Sequence, residues 1–230
     1  VGRMRMSYVL AFDADNTLWD TNAVFRDAQV EMLSTLAAEG LLSSPENCVD
    51  ELRRLDRKLM SEMGENEYDF RALAEALILY YKDSKSPNRA VESILSRRAE
   101  GKSYSELAGK AYERFAETLE KVPSLLPGVE ETLSEIDQYR KTGKVITVLF
   151  SEGDPDRLSR IMESHDDISE DYFDCVIITS KKNLSSFQDM KKEVRSRTGS
   201  LRNPAFIMVG DSISSDVRPA NKSGFISIYK

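Results

Sequence analysis

The feature that most constrains the fold is a short apolar run, Tyr8–Phe12, that ends abruptly in two acidic residues. Such a run, rich in strand-forming residues, is typical of a β-strand buried on both faces of a sheet. Asp13 and Asp15 follow it, and side chains two apart in an extended backbone point the same way. The repulsion between two such carboxylates is relieved by a cation or by a proton on one of them. The pattern therefore favours a magnesium site or a nucleophile beside a general acid, although an Asp/Asn turn would look the same.

The composition of the chain excludes several classes of protein. Its 230 residues are 40% hydrophobic and 31% charged, which is typical of globular material with one large domain or two small ones. The net charge of −7 argues against a protein that binds nucleic acid by neutralising phosphates. The apolar runs are too short to cross a bilayer and no secretory signal is visible, so we expect no membrane association.

Cysteine and histidine usage indicates a cytoplasmic protein without histidine-based chemistry. Cys48 and Cys175 lie far apart in unlike contexts, which suggests no disulfide and fits a reducing cytoplasm. Cys175 lies in an apolar run and is expected to be buried. His165, the single histidine, lies in a polar stretch and is expected on the surface. One histidine excludes histidine triads and histidine-rich zinc sites.

Every long segment from Thr21 to about Leu125 shows helical periodicity, and no strand pattern interrupts it. Asn22 is a candidate cap for the first helix, and Pro45 and Pro87 suit the first turns of two others. The predicted helices cover 22–38, 45–63, 68–82, 87–99 and 105–121. We expect these residues to form a separate helical unit.

After Pro127-Gly128 the pattern changes to an alternation of helices and strands. The predicted strands cover 144–150, 174–179, 205–210 and 225–229, and the helices between them cover 129–141, 155–165 and 185–197, with a short one before the last strand. This alternation predicts an α/β fold with a doubly wound parallel sheet and right-handed crossovers. The predicted architecture is a Rossmann-like core, residues 1–20 and 126–230, with an all-helical insertion over residues 21–125.

Polar side chains follow the other predicted strands at the edge where such sheets bind ligands. Ser151 ends the second strand, Lys181 and Lys182 follow the third, and Asp211 follows the fourth, with Asp216 five residues later. Each residue alone could be a cap, a turn or a solvated charge. Their joint occurrence at successive strand ends favours a functional site.

These residues, in this order, resemble the motifs of the haloacid dehalogenase superfamily over essentially the whole chain. The run FDADNTLWD resembles the first motif, which implies that Asp13 is a nucleophile and Asp15 a general acid/base. LFSEGD resembles the second motif, in which Ser151 would bind phosphate. GDSISSD resembles the fourth, in which Asp211 would bind magnesium with support from Asp216. The helical insertion resembles the C1-type cap of this family.

The third motif, a lysine, departs from the pattern of many members because no proline follows it. We favour Lys182, which precedes a small polar residue and a helix, and Lys181 remains the alternative. The site that the resemblance implies combines catalytic, phosphate-binding, metal-binding and supporting residues. They are the catalytic Asp13 and Asp15; the phosphate-binding Ser151, Glu152 and Lys182 (or Lys181); the metal-binding Asp13, Asp15 (through its backbone carbonyl) and Asp211; and the supporting Ser212 and Asp216.

The function that this resemblance implies is a magnesium-dependent phosphatase acting on a small phosphorylated metabolite through an aspartyl-phosphate. Asp15 argues against a dehalogenase, since the family's dehalogenases resemble this pattern without the second aspartate. A phosphomutase stays open because it uses the same two aspartates, and a non-catalytic binding protein is a further alternative. The physiological substrate and the oligomeric state are not set by the sequence.

Overall fold

The five strands form one parallel sheet in a computed structural model that describes residues 7–64, 68–83, 86–165, 168, 170–198 and 203–230. The strand order is β3-β2-β1-β4-β5. The strands are β1 (Tyr8–Phe12), β2 (Val145–Glu152), β3 (Cys175–Thr179), β4 (Ala205–Gly210) and β5 (Ile226–Tyr229). The predicted α/β class and parallel sheet are therefore confirmed, with strand limits that agree to within two residues.

The register of the central strands places their carboxyl ends side by side. Phe12, the last residue of β1, pairs with Leu149 on β2 and with Val209 on β4. The next residues of the three strands therefore lie at about the same level along the strand direction, and the polar residues that follow converge at one edge of the sheet. The N–H of Asp13 still donates to the carbonyl of Val209, at 2.9 Å, so β1 leaves the sheet only after this residue.

Helices cover both faces of the sheet, as a doubly wound fold requires. They are α6 (Val129–Arg140), α7 (Pro155–Glu163), α8 (Leu184–Thr198) and α9 (Arg218–Lys222). Val9 and Ala11 of β1 belong to one apolar core, which includes Phe187 of α8. Phe12 belongs to the other, which includes Leu158 of α7. A central strand with apolar residues on both sides explains the uninterrupted apolar run at the start of the sequence.

The contacts divide the chain into a unit of residues 1–21 and 122–230 and a second unit of residues 22–121. The helices of the second unit are α1 (Thr21–Ala38), α2 (Val49–Met63), α3 (Phe70–Asp83), α4 (Pro87–Ala99) and α5 (Glu106–Leu119). The described residues of this unit contain no strand. Its apolar core joins all five helices.

A buried carboxylate lies at the centre of the helical unit. Glu75 of α3 is 2% exposed and pairs with Arg97 of α4 at 3.0 Å. Its other oxygen accepts from the N–H of Ser105 at 3.0 Å and from its hydroxyl at 2.5 Å, just before α5. Because a buried charge is costly unless it is paired, these contacts fix three helices relative to one another.

Three local predictions are wrong. The first helix begins at Thr21, so Asn22 is not its cap, and residues 45–48 form a separate 3₁₀ turn before α2. His165 is half-buried rather than a surface residue, because its ring stacks on Trp19, 6.5 Å between centroids, and its Nε2 lies 2.9 Å from the carbonyl of Pro123.

Cys175 is buried, as expected. Among the described helices, none is both long and apolar enough to cross a membrane.

Candidate active site

Asp13 lies at the centre of the edge where the strands end. Its side chain is buried, and its two oxygens have different partners. Oδ1 accepts from Nζ of Lys182, and Oδ2 accepts from the hydroxyl of Thr17 at 3.2 Å. The chain turns back after Asp13 through Asn16, whose φ of 59° lies in the left-handed region that asparagine tolerates. This turn explains the Asp/Asn composition after β1.

Lys182 is the lysine that the structure brings to Asp13. Its side chain is 2% exposed, and its Nζ also lies 2.7 Å from Oδ1 of Asp216. Lys181, the alternative, is exposed to solvent. Neighbouring side chains on a turning backbone point apart, so only one of the two can enter the site. The structure therefore favours Lys182 over Lys181.

Asp216 reaches the site because a single π-helical turn, Ile213–Val217, follows β4. Its Oδ2 accepts the N–H of Ser212 at 2.9 Å, and the Ser212 hydroxyl caps the turn by accepting the N–H of Ser215 at 3.2 Å. A Cβ atom placed on Gly210 would overlap the Asp216 carboxylate. Only glycine at position 210 leaves room for the carboxylate so close to the end of β4.

Three carboxylates meet at this point and could share one ion. One oxygen from each of Asp13, Asp211 and Asp216 lies within 4.8 Å of the others. An all-oxygen set of this kind fits a hard divalent cation such as Mg²⁺. The Asp15 carboxylate is not in this set, and the prediction that Asp15 contributes its backbone carbonyl stays a prediction.

The electrostatics of the cluster favour the binding of a cation. Burial raises the pKa of Asp13 to about 6, with Lys182 opposing the rise and Asp216 adding to it. Burial, followed by the charge of Asp216, also raises the pKa of Asp211. One ammonium group therefore does not neutralise three adjacent carboxyl groups, and a cation among them would remove the excess charge.

The carboxylate of Asp15 points to a different set of donors. Its Oδ1 accepts from the indole N–H of Trp19 at 2.9 Å and from the hydroxyl of Thr21 at 2.5 Å. Nη1 of Arg157 lies 3.3 Å and 3.4 Å from its two oxygens. Asp15 is half-buried, and both it and Asp13 line a cavity of about 160 Å³. The two carboxylates thus face one small volume but have separate partners.

Ser151 and Glu152 end β2 beside this cavity and line it. The Ser151 side chain is buried, and its hydroxyl contacts the carbonyl of Glu152 at 3.2 Å. The Glu152 carboxylate accepts the backbone N–H of Lys182. This contact holds the lysine loop in place, and a carboxylate so engaged is a poor phosphate ligand because the two charges repel. The side chain of Glu152 holds the lysine loop in this structure, and its predicted role in phosphate binding stays a prediction.

The sequence analysis missed several residues of the site. Thr17, Thr21 and Gly210 contact or accommodate the aspartates, and nothing in their type distinguishes them from ordinary turn residues. Arg157 was missed as well. The one signal for it is a cation in the first turn of a helix, where the helix dipole disfavours positive charge.

Comparison with known proteins agrees with this fold. The family model described as haloacid dehalogenase-like hydrolase matches residues 9–224. No curated protein matches the sequence significantly.

The solved structures with a similar fold have low sequence identity. A haloacid dehalogenase-like family hydrolase from Xanthomonas campestris has a TM-score of 0.57 and 18% identity, over 98% of this chain and 83% of its own. The candidate HAD hydrolase YfnB of Bacillus subtilis, solved bound to magnesium, has a TM-score of 0.58 and 13% identity, over 97% and 86%. A candidate phosphatase from Clostridium difficile has a TM-score of 0.54 and 17% identity, over 97% and 85%. At these identities the structures support the fold alone. The family match over nearly the whole sequence shows that this chain belongs to the haloacid dehalogenase-like hydrolases.

Proposed function

We propose that this hydrolase is a magnesium-dependent phosphatase that acts on a small phosphorylated metabolite through an aspartyl-phosphate intermediate. The observation that carries the proposal is the environment of Asp13. Its carboxylate is held by Lys182 and Thr17, and Asp211 and Asp216 lie close enough to share a cation with it. Ser151 lines the same cavity from the neighbouring strand.

The protein residues divide the chemistry between them. An oxygen of Asp13 attacks phosphorus, and the bond between phosphorus and the leaving oxygen breaks. Nζ of Lys182 and the hydroxyl of Ser151 bind the other phosphate oxygens, over which negative charge spreads in the transition state. Asp216 positions Lys182 for this task, since its Oδ1 accepts from Nζ at 2.7 Å.

Asp15 moves the protons in both half-reactions. It donates a proton to the leaving alkoxide and then takes one from the water that attacks the phosphorus of the aspartyl-phosphate, which returns Asp13 as a carboxylate. Magnesium bound to Asp13, Asp211 and the backbone carbonyl of Asp15 would supply a positive charge that masks the repulsion between nucleophile and phosphate. The second aspartate favours phosphoryl transfer over dehalogenation, because a displaced halide needs no proton.

The same proposal includes the setting of the protein. A cytoplasmic location is supported by Cys48 and Cys175, which are both free thiols. The partner is a small phosphorylated molecule, with neither nucleic acid nor a membrane surface involved, and the net charge of −7 supports the first exclusion.

The test is phosphate release by the full chain from a panel of phosphate monoesters, with magnesium and with EDTA. We expect turnover with magnesium only, and its loss in Asp13→Asn. Asp156→Asn is the matched control, because Asp156 is an exposed carboxylate on α7. Turnover that survives in EDTA or in Asp13→Asn would contradict the proposal. An isomerised phosphate ester without free phosphate would indicate a phosphomutase, and ester binding without turnover would indicate a binding protein.

A further inference from the structure

Arg157 is a cation at the active site that the chemistry above does not use. It lies in the first turn of α7, and its Nη1 is 3.3 Å and 3.4 Å from the two oxygens of Asp15. Both side chains are 34% exposed. Asp15 and Arg157 are 142 residues apart in the sequence, so the contact is made by the fold and not by local chain geometry.

Asp15 does not need Arg157 to be oriented. The indole of Trp19 and the hydroxyl of Thr21 already donate to it at 2.9 Å and 2.5 Å. Both Arg157 contacts are longer than the roughly 2.7–2.9 Å of a strong charge-assisted hydrogen bond. A half-exposed ion pair of this kind contributes little to stability. Arg157 can therefore leave Asp15 and pair with another anion at little cost in free energy.

Arg157 has no evident structural role within its own helix. A cation in the first turn opposes the helix dipole, so its position there brings no stabilisation. Within the described part of the chain, Nη1 is the guanidinium nitrogen that donates to an acceptor, and Nε and Nη2 have none. The planar fork of an arginine binds carboxylate or phosphate through two such donors at once.

The charge of the cavity makes an anion binder useful at this position. Five acidic residues line the cavity, Asp13, Asp15, Glu152, Asp211 and Asp216, against Lys182 as the basic residue among the lining. Lys182 is already engaged by two carboxylates. A substrate with a negative charge besides its reacting phosphate would be repelled unless a further cation received that charge.

We propose that Arg157 determines substrate specificity by binding a second anionic group, a carboxylate or a second phosphate, on the leaving group of the substrate. The proposal rests on the proposed function, in which Asp15 protonates the leaving oxygen. The atoms attached to that oxygen then lie beside Asp15, within reach of the Arg157 guanidinium. The incoming anion takes the place of Asp15 on Arg157, and Trp19 and Thr21 keep Asp15 in position.

The test compares three esters that share a three-carbon chain: propyl phosphate, 2-carboxyethyl phosphate and propane-1,3-diyl bisphosphate. We expect kcat/KM of the wild type to be about tenfold or more higher for at least one anionic ester than for propyl phosphate. Arg157→Met should lose most of this preference, chiefly through KM, and Arg157→Lys should keep part of it. Which anionic ester is favoured distinguishes a carboxylate from a second phosphate. Arg160→Met, an exposed arginine on the same helix, is the matched control and should keep the preference.

Three outcomes would overturn the proposal. The first is a wild type without preference for either anionic ester, and the second is an Arg157→Met variant that keeps the wild-type preference. The third is an Arg157→Met variant that loses the same factor in kcat on all three esters, as expected if Arg157 only positions Asp15. Dissociation constants of the three esters, measured on Asp13→Asn with magnesium and with or without Arg157→Met, give a readout that needs no turnover. Failure of phosphate release would refute the proposed function, while these binding constants would still decide the role of Arg157.

Discussion

Removing Lys182 should destabilise the protein more than removing any surface charge. Its Nζ lies between the carboxylates of Asp13 and Asp216, and the three side chains are 2%, 10% and 2% exposed. Lys182→Met keeps the length of the side chain and removes its charge. Two buried carboxylates then face each other without a counter-ion. Loss of one partner from a buried ion pair costs about 3–5 kcal/mol.

Protonation sets an upper limit to this cost and makes it depend on pH. One of the two carboxylates can take up a proton instead of remaining charged. For a carboxyl group with the ordinary pKa of 3.8, protonation at about pH 7.5 costs about 5 kcal/mol of free energy. The limit falls by about 1.4 kcal/mol for each pH unit toward acid. The sign follows from proton binding: the folded variant holds a proton that the unfolded chain has released, so its stability rises as the pH falls. At about pH 5.5 the loss should therefore be about 1–2 kcal/mol smaller than at about pH 7.5, because the wild type, with its Asp13 pKa of about 6, also gains some stability over this range.

A double-mutant cycle with Asp216→Asn separates the ion pair from general damage. The double variant buries one uncompensated carboxylate instead of two, so it should lose about 1–3 kcal/mol less than the sum of the single variants. The assay is urea unfolding without divalent cations at both pH values. Lys192→Met, which removes an exposed ion pair with Asp189, should cause no measurable change. Additive losses that do not depend on pH would refute the reasoning.

Four further predictions follow from the site and the helical unit. Gly210→Ala should lower stability by about 1–3 kcal/mol and kcat/KM by about 100-fold, measured by unfolding and phosphate release, because its Cβ displaces Asp216. Magnesium should raise the melting temperature strongly at about pH 7.5 and weakly at about pH 5, because the Asp13 pKa of about 6 lets a proton compete. Without metal, that raised pKa should make the protein less stable as the pH rises from about 4 to 6. Glu75→Gln should cost about 1–3 kcal/mol in urea unfolding through weakened contacts to Arg97 and Ser105.

The two variants have matched controls, and the magnesium measurement has a contradicting result. Gly109→Ala places a methyl group in open space on α5 and should not destabilise, so an equal loss in both glycine variants would contradict the overlap. Equal stabilisation by magnesium at both pH values would contradict proton competition at Asp13. Glu92 of α4 is exposed, so Glu92→Gln should be neutral, and a neutral Glu75→Gln would show that the buried contacts contribute nothing.

Most of the sheet could be predicted because strand and helix periods alternate clearly after residue 126. The active-site edge followed from the same pattern, since polar residues end consecutive strands and parallel strands align their carboxyl ends. The charged side chains that contact Asp13 could also be predicted, although Thr17 was missed. Lys182 lies three residues after the end of β3 and Asp216 six residues after the end of β4, so the topology gives their approximate positions.

The remaining features depend on contacts that residue type does not reveal. The choice between Lys181 and Lys182 depends on which side chain the loop turns inward, and the backbone contact between Lys182 and Glu152 in that loop has no signal in the sequence. Arg157 reaches Asp15 across 142 residues of sequence. His165 is half-buried because Trp19 offers it a stacking partner, although its sequence neighbours are polar.

The most direct test of the account is to trap the covalent intermediate. The full chain is mixed with a phosphate ester that it hydrolyses and magnesium, quenched in acid, and reduced with borohydride, which converts an acyl phosphate to an alcohol. Mass spectrometry of the peptides should then show an alcohol at position 13, with none in a sample quenched before substrate is added. Full turnover with an unmodified Asp13 at every quench time, or with the alcohol at another aspartate, would contradict the account.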